Sequence, residues 1–495
     1  MESAWRRARG LGCRLPAMSV QRGQSSRGLA DARRLISIKS TDPPEESSPG
    51  LPARAAALRI LLRVERGAFA DVLLGHQLPG FGRSDRRLIT TLVLGTTAWR
   101  SRLDYELERL VRDGLERLSL PVRILLRMGL YQLRFLTRIG AYATVNTSVA
   151  LAKQGLETRY AAGLINAVLR RAAAQQMPEL PDERADRVKH LAVKYSHPEW
   201  LVTRVLEWFG ESDARALLAS NNEPAPNAIR LNLARASRED ILERLKAAGL
   251  ELSASSNLPE TAFMTGGSPS ETAPELQSLF TPQSAASQMV VHLLAPETGA
   301  YVLDCAAAPG GKTTHLAEMV GAGGRVFALD KRLGGVRAVQ KLAQRLGHRN
   351  ISLVCADLLA GIPLPARSFE FVLLDAPCSG LGTLRSHPEI RWRLKPEDLE
   401  RMAALQSQML AKASAMVRPK GVIVYAVCSF APTEGPRVVQ RFLAEHREFR
   451  VDATGTEFNK LQLARSADDF LCLSLLPSRE GFDGFFAVRL RRSGE

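Results

Sequence analysis

Residues 300–314 read AYVLDCAAAPGGKTT: a short apolar run closing on Asp304, then Cys305, Ala306, Ala307, Ala308, Pro309, Gly310, Gly311, Lys312 and two threonines. Residues this small let a strand turn tightly into a helix and let a ligand come close to the free amides at the helix N-terminus. The closing GGKT resembles part of the phosphate loop GxxxxGK[ST], but the first glycine of that pattern would fall on Ala306, and GxGxxG is absent as well. Nucleotide hydrolysis and hydride transfer are therefore disfavoured, and a nucleoside-bearing ligand stays favoured.

Outward from this turn the pattern of apolar strand, turn and helix repeats. Strands are predicted at 300–303, 326–329, 351–354, 369–374, 422–426 and 485–490. Alternation of this kind gives an α/β domain with a parallel, doubly wound sheet, which binds ligands outside the carboxyl ends of its strands. The second strand ends at Asp330, where one carboxylate can accept from both hydroxyls of a ribose. The third ends at Asp357, suited to an adenine amino group. The fourth delivers Asp375-Ala376-Pro377-Cys378 and the fifth Val427-Cys428-Ser429. A lone aspartate after a strand commonly caps a helix, and a buried cysteine is commonly a small hydrophobe. Three acids behind a glycine turn, with two cysteines on the same sheet edge, point instead to a site.

A thiolate in such a cleft has a specific use. C5 of cytosine is too weak a nucleophile to take a methyl group unaided, whereas thiolate addition at C6 makes the ring an enamine whose C5 can attack. Lys312 is the electropositive neighbour the sequence offers for ionising the thiol, and Asp375 is suited to N3 of the adduct. A second thiol nearby would aid release.

Before residue 281 the character changes. Residues 53–176 read as nearly continuous helix with breaks at 79–84 and 119–121, which predicts an all-α bundle over 51–178. A small α+β module is expected over 179–280, with a helix at 198–208, a strand at 227–233 and a helix at 237–248, ahead of a catalytic domain over 281–495. Of the net charge of +16, residues 51–178 carry +11 from 20 basic and 9 acidic side chains, and everything from Glu179 onward carries +1. A polyanion such as RNA could dock on that basic bundle; a merely solvated basic face is the bland alternative. Residues 1–40 are rich in Arg and Ser, and 41–51 read as a linker. That extension, 1–50, has the composition of an organellar transit peptide and equally that of an upstream start preceding an internal one at Met18.

Hydrophobic content of 45% with 24% charged residues excludes a fibrous or mainly disordered chain. Six cysteines without a CxxC pair exclude a disulfide framework and lead us to expect a reducing compartment and no metal. No apolar run is long enough for a bilayer, so no membrane partner is expected.

AAPGGKTTH at 307–315, DAPCSGLGT at 375–383, HPEIRW at 387–392 and YAVCS at 425–429, with the three aspartates, resemble the Sun-type RNA cytosine-5 methyltransferases, and among them the RsmB-like enzymes of small-subunit ribosomal RNA. Residues 145–149 and 166–171 are similar to a NusB-like RNA-binding domain. The resemblance implies S-adenosylmethionine as methyl donor, a Rossmann-like catalytic domain, a cofactor loop on Ala306–Lys312, Asp330 on the ribose, Asp357 beside the adenine, and Asp375 in the catalytic pocket. It implies Cys428 as nucleophile and Cys378 as the thiol assisting release; DNA cytosine methyltransferases use the Pro-Cys position as nucleophile, which leaves the reversed assignment open. It further implies a cytoplasmic monomer, or an organellar one if the extension is a transit peptide. Departures fall on Cys305, one place early, on Ala426 and Val427 where Ser-Thr is usual, on Ser284 where an acid is common, and on Gly435 where Asn is usual. A transfer RNA enzyme and a non-catalytic RNA-binding or ribosome-assembly protein are the competing readings. The target expected is an unpaired cytosine turned into the pocket.

Overall fold

The computed structural model describes residues 50–269 and 272–452, the backbone of 464–465, and residues 471–494. Both readings of the N-terminal extension fall outside the described residues.

Seven helices form the first unit: α1 Leu51–Glu65, α2 Ala70–Gln77, α3 Arg83–Ala98, α4 Arg100–Leu110, α5 Leu120–Phe135, α6 Ala141–Gln154 and α7 Ala162–Ala174. The chain breaks more often than its periodicity predicts. Gly67 and Gly114 turn it through φ of 103° and 84°, and Gly140 and Gly155 flank α6. Helix α5 packs against α1, α3, α4, α6 and α7. As the central element it buries nearly all of 121–132, including Arg127, which pairs with Asp104 at 2.6 and 2.8 Å. Ile60, Leu92, Leu107, Leu125 and Ile165 are fully buried in the shared core. This is the expected all-α bundle.

Helices α8 Arg187–Lys194 and α9 Glu199–Ser220 lead into an antiparallel sheet of β1 Asn227–Leu231, β2 Glu251–Ala254, β3 Thr261–Gly266 and β4 Phe280–Pro282, ordered β2-β3-β1-β4, with α10 Arg238–Ala247 sharing its core. The helices expected at 198–208 and 237–248 and the strand expected at 227–233 fall on α9, α10 and β1, but the rest of the sheet was not legible: β2 is largely exposed and β4 has three residues, so neither shows an alternation. The core of α8 and α9 continues into Leu381, Leu384, Phe430 and Leu476, which fastens this helical pair to the third unit rather than to the small sheet.

The third unit comprises α11 Ala285–Leu294, β5 Tyr301–Asp304, α12 Gly311–Val320, β6 Arg325–Asp330, α13 Leu333–Leu346, β7 Ile351–Cys355, β8 Phe369–Asp375, α14 Pro396–Ser414, β9 Val417–Val427, α15 Pro436–Glu445, β10 Phe449–Val451, β11 Ala464–Arg465, β12 Leu471–Leu475 and β13 Phe485–Arg492. Its sheet runs β11-β12-β13-β9-β8-β5-β6-β7, with β10 on β13. Strands β5 to β9 pair in parallel as expected, but β13 is antiparallel to β9, β10 and β12, so the sheet is mixed. The link between β12 and β13 is shorter than the dozen or so residues a parallel crossover needs, so these two strands pair as an antiparallel hairpin. β8 and β9 are buried on both faces, which is why they read as unbroken apolar runs. Strand order reverses direction between β5 and β8, and the cleft opens there.

Candidate active site

At the switch point β5 ends in Asp304, whose buried carboxylate accepts from Thr313 Oγ1 at 2.7 Å. This bond staples the strand to the first turn of α12. Burial pushes the Asp304 acid up to about 6, with the Thr313 hydrogen bond opposing it. Between them the loop passes through Gly310 at φ 113°, where a Cβ would stand 3.1 Å from Cα of Val339, so only glycine fits. Lys312 then reaches across the switch point and donates to Asp375 Oδ2 at 2.7 Å, its ammonium lying 5.2 Å from the Phe485 ring centroid. Sequence reasoning offered this lysine to a thiol; the fold gives it a carboxylate partner.

Asp330 accepts from Arg332 N at 2.8 Å and Ala308 N at 3.3 Å, tying the end of β6 to the glycine loop. Asp357 accepts from Leu359 N at 2.9 Å. Both line one cleft with Asp375, Cys378 and Cys428, so the predicted acids and thiols do converge. β8 and β9 lie side by side in parallel with Asp375 opposite Ala426, and the loops they deliver bring Cys378 Sγ to 3.1 Å from Cys428 Sγ, both as free thiols. The hydrogen bond to Cys428, then burial, pushes the Cys378 thiol well up, which keeps it protonated. Gly382 N holds the carbonyl of Cys428 at 3.0 Å, and a Cβ on Gly382 would meet Gly484 O at 1.8 Å.

The departures have local explanations. Ala426 and Val427 are fully buried in β9. Ser284 caps α11, accepting from Ser287 N at 3.4 Å, and is hydrogen-bonded to the carboxyl of Asp483, so an acid reaches this spot from another segment. At Gly435 a Cβ would stand 2.8 Å from the Phe486 ring, which leaves no room for asparagine. Sequence reasoning passed over Asp304 as a site residue and over Glu434, a fully buried carboxylate between the cysteine of β9 and α15. Glu434 could have been suspected from being an acid inside an otherwise uncharged stretch, 428–436.

Among the described residues, two groups bring three possible metal-ligating atoms within 4.8 Å of one another: Glu260, His292 and His315, and Asp71, His387 and Glu389. In the first, His292 Nε2 already lies 2.6 Å from Glu260 Oε1 as a direct hydrogen bond joining β3's approach to α11. No helix among the described residues is long and apolar enough to cross a membrane.

Three family models match successive parts of the chain: the NusB family over 51–174, the ferredoxin-like domain of RsmF/B-like methyltransferases over 197–269, and 16S rRNA methyltransferase RsmB/F over 291–491. A probable ribosomal RNA small subunit methyltransferase B of Synechocystis is 32% identical over 451 residues, spanning 90% of this chain and all of that protein. The ribosomal RNA small subunit methyltransferase B of Vibrio vulnificus is 33% identical over 438 residues, 88% of this chain and 97% of its own. In fold, the crystal structure of PH0851 matches with a TM-score of 0.78 over 91% of this chain and all of its own at 23% identity. NSun6 from Pyrococcus horikoshii, solved with SFG, matches at 0.54 over 60% of this chain and 99% of its own at 21% identity.

Proposed function

The chain belongs to the 16S rRNA methyltransferase RsmB/F family, and on that premise we propose that Cys428 is the covalent nucleophile of an S-adenosylmethionine-dependent RNA (cytosine-5)-methyltransferase acting on small-subunit ribosomal RNA. The observation that carries this reading is the pair of thiols 3.1 Å apart at the ends of adjacent strands, in one cleft with Asp330, Asp357 and Asp375.

The donor's fit rests on the same cleft: the loop 306–311 offers backbone amides at the start of α12, Asp330 suits the ribose and Asp357 the adenine edge. When bound, S-adenosylmethionine supplies an electrophilic methyl group on a sulfonium sulfur. Cys428 adds as thiolate to C6 of the cytosine, N3 takes up a proton from solvent as the electron pair reaches it, and Asp375, oriented by Lys312, accepts the hydrogen bond of this N3–H until the proton is lost again on release of the ring. After C5 is methylated it gives up its proton to solvent, the C6–S electron pair returns to sulfur, and C5=C6 re-forms. Cys378, held protonated, donates its S–H to the departing sulfur.

The helical bundle, 51–178, holds RNA through its basic surface; 179–280 joins it to the catalytic unit, 281–495. A cytoplasmic monomer is the simplest form of this enzyme. Cys428→Ala should abolish methylation while RNA binding persists. Cys378→Ala should accumulate a denaturation-resistant protein–RNA adduct on gels. Were Cys428→Ala the variant that traps it, the two roles would have to be exchanged.

A further inference from the structure

Glu434 has no part in the steps above, yet its surroundings are built around the two cysteines. Its side chain is fully buried, and a buried carboxylate is costly unless its oxygens are hydrogen-bonded. The bonds come from three segments. Oε1 accepts from Ser379 N at 2.7 Å and from Gln406 Nε2 at 3.0 Å; Oε2 accepts from Ser429 Oγ at 2.6 Å and from the Ser379 hydroxyl. Ser379 follows Cys378 and Ser429 follows Cys428, and their hydroxyl oxygens lie 3.2 Å apart. Gln406 also donates to the carbonyl of Pro377 at 3.0 Å, and Tyr425 OH to the carbonyl of Glu434 at 2.6 Å. A carboxylate serving only the fold has no reason to gather its donors from the residues adjoining both sulfurs.

Building on the reading that Cys428 adds and Cys378 assists release, we propose that Glu434 is a positioning residue of the reaction: its carboxylate clamps the loops after β8 and β9 through Ser379 and Ser429 and so sets the separation of the two thiols.

The test uses the full chain carrying Glu434→Gln, Glu434→Ala or Ser429→Ala, with thermal melting to establish folding. The first readout is the rate at which diamide oxidises Cys378 and Cys428 to a disulfide, mapped by peptide mass spectrometry; it reports sulfur proximity whichever thiol is the nucleophile. The second is the split between kcat and KM for RNA. In Glu434→Ala the disulfide should form several-fold more slowly and kcat should fall about 100-fold, the usual effect of misplacing reacting groups by an ångström, with KM for RNA little changed. Glu434→Gln, which retains one acceptor oxygen, should fall between Ala and wild type. Should the Ala variant not fold, Ser429→Ala, which removes one tie, must show the same pattern in smaller degree. A folded Glu434→Ala or Ser429→Ala protein with wild-type disulfide rate and kcat would overturn the proposal, as would a wild-type protein that forms no such disulfide. A methylating Cys428→Ala enzyme would instead overturn the assignment of roles and leave the clamp standing.

Discussion

Asp304 shows what a single carboxyl group meets when it closes a buried strand. Its acid is raised to about 6 by burial, against an ordinary value of 3.8. The folded chain therefore binds the proton more tightly than the unfolded chain. This contribution to stability is complete below about pH 4 and is lost as pH rises through about 6. Asp304→Asn has no charge to bury, so its melting temperature should gain on wild type between pH 4.5 and pH 7.5. An offset equal at both pH values would refute the burial argument. Asp330, Asp357, Asp375, Cys378 and Cys428 were legible in the sequence because each follows an apolar run at a recognisable strand end. The hydrogen bonds that organise them were not legible: Thr313 on Asp304, Lys312 on Asp375 and the serines on Glu434 meet across folds of the chain that have no period in sequence.

The single-turn helix Ile390–Arg393 is an element whose motif was visible and whose purpose was not. In space it joins the catalytic unit to the helical bundle and to the helical pair α8 and α9. Glu389 accepts from Ala70 N at 3.0 Å, capping α2; Trp392 Nε1 donates to Thr97 O at 2.7 Å; and Arg393 donates to Val64 O and Ala68 O at 2.9 and 2.5 Å. Arg391, fully buried, donates to Ser196 O and Asn221 O at 3.0 and 2.9 Å. Arg393→Ala removes two of these bonds, worth roughly 1 kcal/mol each, and should raise hydrogen exchange of the backbone over 64–73 while exchange in β8 and β9 stays unchanged. Protection over 64–73 equal to wild type would mean the joint is held elsewhere. The strands of the parallel sheet were legible because burial on both faces makes them continuous apolar runs. β2, β4 and β10 were not, since short or two-sidedly exposed strands leave neither a run nor an alternation, whereas β12 is a mostly buried apolar run at 471–475 that was missed.

Across the whole molecule, the charge asymmetry read from composition becomes a surface: Arg138, Lys153, Arg159, Arg170 and Arg171 are exposed on the helical bundle. RNA affinity of the full chain should fall linearly on a log–log plot against salt. Reversing Arg170 and Arg171 to glutamate should reduce that slope by about 2 if each meets a phosphate. An unchanged slope would make this face a solvated one. The order of units, helical, mixed, then α/β, was legible from the shift in charge and the onset of strand–helix repeats. The attachment of α8 and α9 to the catalytic unit was not, because it depends on which apolar stripe faces which. The joint between the units has a further property: apart from the Arg391 bond to Asn222 Oδ1, the bonds that Arg391, Trp392 and Arg393 donate across it end on main-chain oxygens, those of Val64, Ala68, Thr97, Ser196 and Asn221. A substitution at one of these five positions therefore reaches the joint only by displacing the local main chain, as the loss of buried Val64 or of the Ser196 hydroxyl that accepts from Ser101 N would do.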